Sequence, residues 1–199
     1  MAEAAVRIPT QRRPASKAAS RAAILEAARR VATRDGARDL SLRGVAAEAG
    51  FAPAALYGYF RNKDELLLAL AADDLTALAR AMRDAPASGG LAGAGTAALD
   101  ILRSAETMAA ASAALTGAPQ ENNKLGDAER LFNGRLITAL KALSDASGLS
   151  TTGRDGQRDV LLLAAALSGL ALFSRSGRLD ALGFTPEEMI ARLDGRFRS

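Results

Sequence analysis

Arg43, Tyr57, Tyr59 and Lys63 bring two permanent cations and two phenols into one short stretch of the chain. All four side chains donate hydrogen bonds to phosphate oxygens, and the arginine fork can also pair with guanine O6 and N7. The usual catalytic groups are missing. The 199 residues contain neither histidine nor cysteine, which removes the commonest general base, the commonest metal ligand and any thiolate. The adjacent acidic pairs Asp73-Asp74 and Glu187-Glu188 point around a helix rather than towards each other, so they read as solvated or terminal charges. Polyanion binding is therefore expected, with no enzyme activity, metal or cofactor.

The donors need rigid elements to aim them. Residues 41–63 read SLRGVAAEAGFAPAALYGYFRNK. Ser41 caps a short helix whose Leu42, Val45, Ala46 and Ala49 face inward, and Gly50 suits its left-handed end. Pro53 fits the first position of a second short helix running to about Phe60. Leu56 and Phe60, four residues apart, point into a core, and Phe51 plugs the turn. Asn62-x-x-Glu65 resembles a capping box that opens the next helix. This is the layout of a helix-turn-helix, whose second helix enters the major groove.

Charge follows the same division. The net charge of +4 is uneven: residues 1–65 hold 12 Lys/Arg against 7 Asp/Glu, and the remainder 14 against 15. The whole basic excess lies at the end with the motif, as phosphate neutralisation requires, although a solvated basic face would look the same.

Abundant alanine and the absence of strand-like alternation predict an all-α chain. Residues 1–19, with Pro9, Pro14, Arg7, Arg12, Arg13 and Lys17, read as a basic disordered arm that either reaches along DNA or has no role. Ser20 caps a first helix to about Asp35, with Ile24, Ala28 and Val31 on one face and Gly36 at its end. Residues 20–62 form the helix-turn-helix domain. Residues 63–199 form a helical regulatory and dimerisation domain. Its first helix, with Leu67, Leu70, Leu78 and Met82 inward, ends near Pro86. Ala87 to Gly95 reads as a loop. Further helices follow around Leu99, Leu102 and Met108, around Leu131 to Leu143, from about Asp155 to Ser176, and from Pro186 to Phe197. No signal-type segment is read at the N-terminus, and the apolar run Val160–Phe173 is short for a bilayer. The expected location is the bacterial cytoplasm, in association with the nucleoid.

Within this layout, ILEAARRVATRDG followed by LSLRGVAAEAGFAPAALYGYFRNKDELLLAL resembles the TetR family of bacterial transcriptional regulators. The specific signature is Leu56-Tyr57-x-x-Phe60 followed by Asn62-Lys63-x-Glu65-Leu66, and the match covers Arg21 to Leu70. The resemblance implies a homodimer with an N-terminal three-helix head, coupled through the fourth helix to a helical ligand-binding domain. It also implies repression at a palindromic operator of double-stranded DNA, relieved by a small-molecule inducer. An architectural or division-linked DNA binder with the same head and no inducer is the alternative.

The candidate DNA-binding residues are Ser41, Leu42, Arg43, Ala52, Pro53, Ala54, Ala55, Tyr57, Gly58, Tyr59 and Lys63. Arg43 meets either a base or a phosphate. Ser41 caps its helix and can also donate to a phosphate. Ala52 to Ala55 and Gly58 carry no hydrogen-bonding side chain. Readout there must rest on thymine methyls, close approach and DNA shape. Tyr57 and Tyr59 resemble the family's phosphate contacts, Tyr59 replacing a frequent histidine, or else they pack on neighbouring helices. Lys63 and the amide end of its helix could hold one phosphate.

In the second domain, Met82, Leu102, Met108, Phe132, Leu136 and Phe173 either line a cavity for an apolar or amphipathic ligand or are plain core. Leu163, Leu167, Leu170, Met189 and Leu193 either form a four-helix dimer interface or belong to the same core.

Overall fold

The computed structural model describes residues 14–104, 110–111, 126–150 and 152–197, and every structural statement below concerns those residues. They form helices and turns, with no strand among them. The head consists of α1 (Pro14–Asp35), α2 (Leu42–Ala49) and α3 (Pro53–Leu56). The body consists of α4 (Lys63–Asp84), α5 (Gly90–Ser104), α6 (Asp127–Ser147), α7 (Gly153–Arg175), α8 (Arg178–Ala181) and α9 (Pro186–Phe197). The all-α expectation holds.

Two boundaries differ from the reading of the sequence. Helix α1 begins at Pro14, six residues before the expected Ser20 cap, so residues 14–19 belong to a helix and not to the arm. Proline is compatible with a first helical turn, where its missing N–H costs nothing. Residues 1–13 of the expected arm lie outside the described residues. Helix α5 begins at Gly90 after a 3-10 turn over Ala87–Gly89, so two-thirds of the expected loop is α-helical. Its glycine and alanine serve packing instead. A Cβ at Gly95 would lie 3.1 Å from Cγ2 of Ile190 in α9, so glycine lets the two helices approach.

The apolar residues gather into two cores that share α4. The head core holds Ile24, Leu25, Ala28, Val31, Leu40, Leu42, Val45, Leu56 and Phe60, closed by Leu66, Leu67 and Leu70 of α4. The body core takes the other face and later turns of α4, from Leu68 through Leu75, Leu78 and Met82, together with α5, α6, α7 and α9. The head therefore extends to about Leu70, past the expected boundary at residue 62.

α4 and α6 pack extensively and run in the same direction. Arg61, just before α4, lies beside Gly126 at the start of α6, and Met82 and Arg83 meet Ala142 and Asp145 near their ends. α5 returns antiparallel to α4, with Gly90 and Ala94 near Met82, and Ala98 and Leu102 near Leu75 and Leu78.

By length and composition, α7 is the one helix among the described residues that could cross a membrane. Its apolar residues divide between the body core and an exposed face. A helix apolar on two faces needs two apolar neighbours, and one of them is this core.

Candidate nucleic-acid interface

The local chemistry of residues 41–65 fixes the interface backbone. Ser41 has extended dihedrals, and its Oγ accepts from Gly44 N at 3.1 Å, satisfying one free amide of α2. Gly50 ends α2 at φ 69°, in the left-handed region where a side chain is strained. Phe51 N then donates back to Ala46 O at 2.9 Å, which turns the chain sharply into α3.

α3 is shorter than the sequence suggests. After Leu56 the coil tightens: Gly58 N donates to Ala55 O and Tyr59 N to Leu56 O, both three residues back. A final bond from Phe60 N to Leu56 O keeps both inward side chains together, and both are buried.

The capping box of α4 is shifted by one residue. Glu65 N donates to Asn62 Oδ1 at 2.8 Å, but the Glu65 carboxylate reaches back to Arg61, accepting from its backbone N at 2.7 Å and its Nε at 3.2 Å. Arg61 is thereby held, still largely exposed, at the corner between α3 and α4.

The interface candidates occupy different settings. Ala52, Pro53, Ala54, Ala55 and Gly58 are all exposed, so the outer face of α3 is bare backbone and methyl groups. Arg43 is exposed, and Tyr57 is 53% exposed. Ser41 is exposed as well as capping. Leu42 is a correction: its side chain lies in the head core, leaving only its main chain at the start of α2 to face outward. Tyr59 is half-buried, its ring edge-on to Phe51 at 6.5 Å between centroids and 77° between planes, and packed on the head core. Lys63 Nζ donates to the Arg38 carbonyl in the link before α2, which ties α4 to that link. An ammonium has three donors, so two remain.

A carboxylate also fastens α1 to α2. Glu48 accepts from Arg30 Nε at 2.8 Å and from Arg34 Nη1 at 3.1 Å. The hydrogen bonds from Arg30 and Arg34 hold the Glu48 carboxyl below its ordinary value. Because this pKa is depressed by folding, its contribution is present above the unfolded carboxylate pKa and fades as pH falls through the folded value. Thermal melts of the parent and Glu48→Gln should therefore differ at neutral pH and converge under acid conditions; parallel curves would refute the linkage.

The sequence reading missed the setting of Asp74. It is 5% exposed and takes a charge-assisted hydrogen bond from Arg29 of α1, so it is not a solvated surface charge. Asp73 lies 3.8 Å from the same guanidinium. Burial alone would lower the Arg29 pKa, but the hydrogen bond and charge of Asp74, with Asp73 and Glu26, raise it. Burial lifts the Asp73 carboxyl, with Asp74 adding to the effect and Arg29, Arg21 and Arg135 opposing it. The available signal was position: Asp74 lies four residues after Leu70 and four before Leu78, on the apolar stripe of α4. An acid on such a stripe requires a buried partner.

The body candidates separate too. Met82, Leu102 and Leu136 do come together, lining a crevice of about 80 Å³ with Leu75, Leu78, Leu143 and Leu167. Phe132 is buried core and is not among the lining residues, Phe173 is exposed on α7, and Met108 lies outside the described residues. Leu163, Leu167 and Leu170 are buried inside the body, the second of the two placements expected for them. Met189 and Leu193 are half-buried against the same core. The apolar side chains that α7 does present are Leu161, Leu162, Leu172 and Phe173.

Comparison with known proteins agrees with this geometry. Residues 24–70 match the family described as bacterial regulatory proteins, tetR family. A 59-residue segment is 46% identical to the HTH-type nicotine-responsive transcriptional repressor HdnoR of Paenarthrobacter nicotinovorans. That segment spans 30% of this chain and only 30% of the relative. The fold resembles a TetR transcriptional regulator from Rhodococcus sp. RHA1, at 20% identity and TM-score 0.66, covering 91% of this chain and 97% of that one. It also resembles the transcriptional regulator FadR of Bacillus subtilis in complex with stearoyl-CoA, at 18% identity and TM-score 0.58, covering 88% and 96%. The resemblance to TetR-type regulators read from the motif is borne out, as is the fold.

Proposed function

We propose that this chain, whose residues 24–70 carry a TetR-type helix-turn-helix, is a homodimeric transcriptional repressor of the bacterial cytoplasm that binds a palindromic operator. One observation carries the reading: the outer face of α3 is wholly exposed and flanked by exposed Arg43 and Tyr57. A face without polar side chains lets the helix lie close to base edges and thymine methyls. Arg43 supplies the directional base or phosphate contact. Tyr57, Ser41 and the remaining donors of Lys63 supply phosphate anchors, and Tyr59 supplies support through Phe51. Arg61 adds a cation at the same corner.

Selection of bound duplexes from a random pool tests this. The expected product is a palindrome whose half-sites lie about one helical turn, or a multiple of it, apart. Arg43→Ala should cost about 1–3 kcal/mol and relax one base position if its fork reads guanine. Lys63→Gln should weaken all sites alike and lower the salt slope by about one. Absence of salt-dependent binding to any duplex, with or without candidate effectors, would refute the function.

The second subunit would dock on the exposed face of α7, through Leu161, Leu162, Leu172 and Phe173. An inducer would enter the body crevice, whose lining is apolar apart from the Ser168 hydroxyl, already donating to Ala164 O at 2.8 Å. At about 80 Å³ it is far below the common range of roughly 300–1,000 Å³. A ligand must therefore widen it, and does so only by binding the DNA-incompetent state more tightly. The same narrowness favours the alternative, a DNA binder without an inducer. Genome-wide occupancy separates the two: many scattered sites indicate an architectural role, one or two local sites a repressor.

A further inference from the structure

Two apolar cores share α4, and the seam between them falls near Leu68–Leu70. Apolar contact alone is non-directional, so it resists separation of head and body better than it resists their rotation. Arg29 crosses this seam. It projects from α1 of the head to Asp74 and Asp73, which lie on α4 beyond the last head-core residue. The other described pairs do different work. Those of Arg30 and Arg34 with Glu48, of Arg34 with Asp35, of Arg29 with Glu26 and of Arg61 with Glu65 join residues on the head side of the seam, and those of Arg130, Lys141 and Arg158 stay within one helix. The charges of Arg21 of α1 and, more weakly, Arg135 of α6 also act on Asp73.

We propose that Arg29, Asp73 and Asp74 form a charged joint that fixes the angle of the head on the body. Arg29 and Asp74 are positioning residues: they act through α1. The Arg29 guanidinium bonds a buried carboxylate, and removing either partner would leave a charge without its counter-ion, so the pair holds α1 against this turn of α4. If the head binds DNA as proposed above, the joint also sets which half-site separation a dimer accepts, and this second consequence rests on that reading.

The test uses the full chain, which has no cysteine, so introduced thiols are unambiguous. Ala47→Cys on α2 and Lys141→Cys on α6, both exposed, receive spin labels, and labelled chain is diluted with unlabelled. The intramolecular distance distribution is compared between the parent and the neutral pair Arg29→Met with Asp74→Asn. The parent should give one narrow distribution and the neutral pair a clearly broader one, at unchanged helical circular dichroism. Should the neutral pair lose helicity, Arg29→Gln removes the charge while an amide still bonds Asp74, and it is read in its place. On random duplexes, the parent should discriminate about tenfold between the preferred half-site spacing and spacings one base pair away, and the variant less than about twofold. An unchanged distance width overturns the joint. A broader width with unrelaxed spacing preference overturns its link to DNA. A parent that binds no duplex overturns the proposed function, while the distance measurement still decides the joint.

Discussion

Phe60→Ala is expected to destabilise the head by about 3–5 kcal/mol and to abolish DNA binding. Phe60 is 1% exposed and is the largest fully buried side chain of the described residues. Its ring packs in the core that joins α1, α2, α3 and the first turns of α4, and the Arg21 guanidinium covers one face at 5.2 Å from the centroid. Truncation removes the transfer energy of the ring, leaves a cavity that short helices cannot close, and strips a cation–π partner from Arg21. Such a loss is a large part of the total stability of a small domain. Chemical denaturation followed by circular dichroism should show the head unfolding early while the body core, to which Phe60 contributes nothing, persists. A loss under about 1 kcal/mol would mean that the head is not held as described.

Leu162→Asp should leave the chain a monomer where the parent forms the proposed dimer, and weaken binding to the selected palindrome by at least about 100-fold, because two linked heads gain roughly 10²–10⁴ from effective concentration. Leu162 is 62% exposed and Leu161 55% exposed, on the face of α7 away from the body core. A carboxylate there costs the protomer little and places unpaired charge inside the joined surface. Leu163→Ala, one residue on, should do something different. Leu163 is fully buried, so its truncation should cost about 2–5 kcal/mol of protomer stability. Sedimentation and thermal melts of the two variants separate the effects. A Leu162→Asp protein that remains dimeric at low micromolar concentration would rule out this face as the subunit contact.

This contrast shows where sequence reading reached and where it stopped. The head was legible because its signals are local: a serine cap, a left-handed glycine, a proline at a helix start and an asparagine cap each act within four residues. α7 was recognisable as a helix, but Leu161, Leu162 and Leu163 are equally apolar, and nothing local says which face turns inward. Packing of α7 against α5 and α9 decides it, and those helices are distant in sequence. The Arg29–Asp74 pair was missed for the same reason, since its members are 45 residues apart. The body crevice was half legible: Met82, Leu102 and Leu136 converge, whereas Phe132 lies one turn before Leu136 on the same face of α6, in the core but short of the crevice, and Phe173 is on the exposed face of α7.

The methyl-covered surface of α3 has a consequence for descent. Ala52, Ala54 and Ala55 are exposed and lie outside the head core, so replacing them sacrifices no existing packing. In the proposed complex, glutamine, asparagine or arginine at any of them would add polar contacts to base edges but hold α3 further from the groove, so a new target would bring a new mode of reading and no loss of the fold.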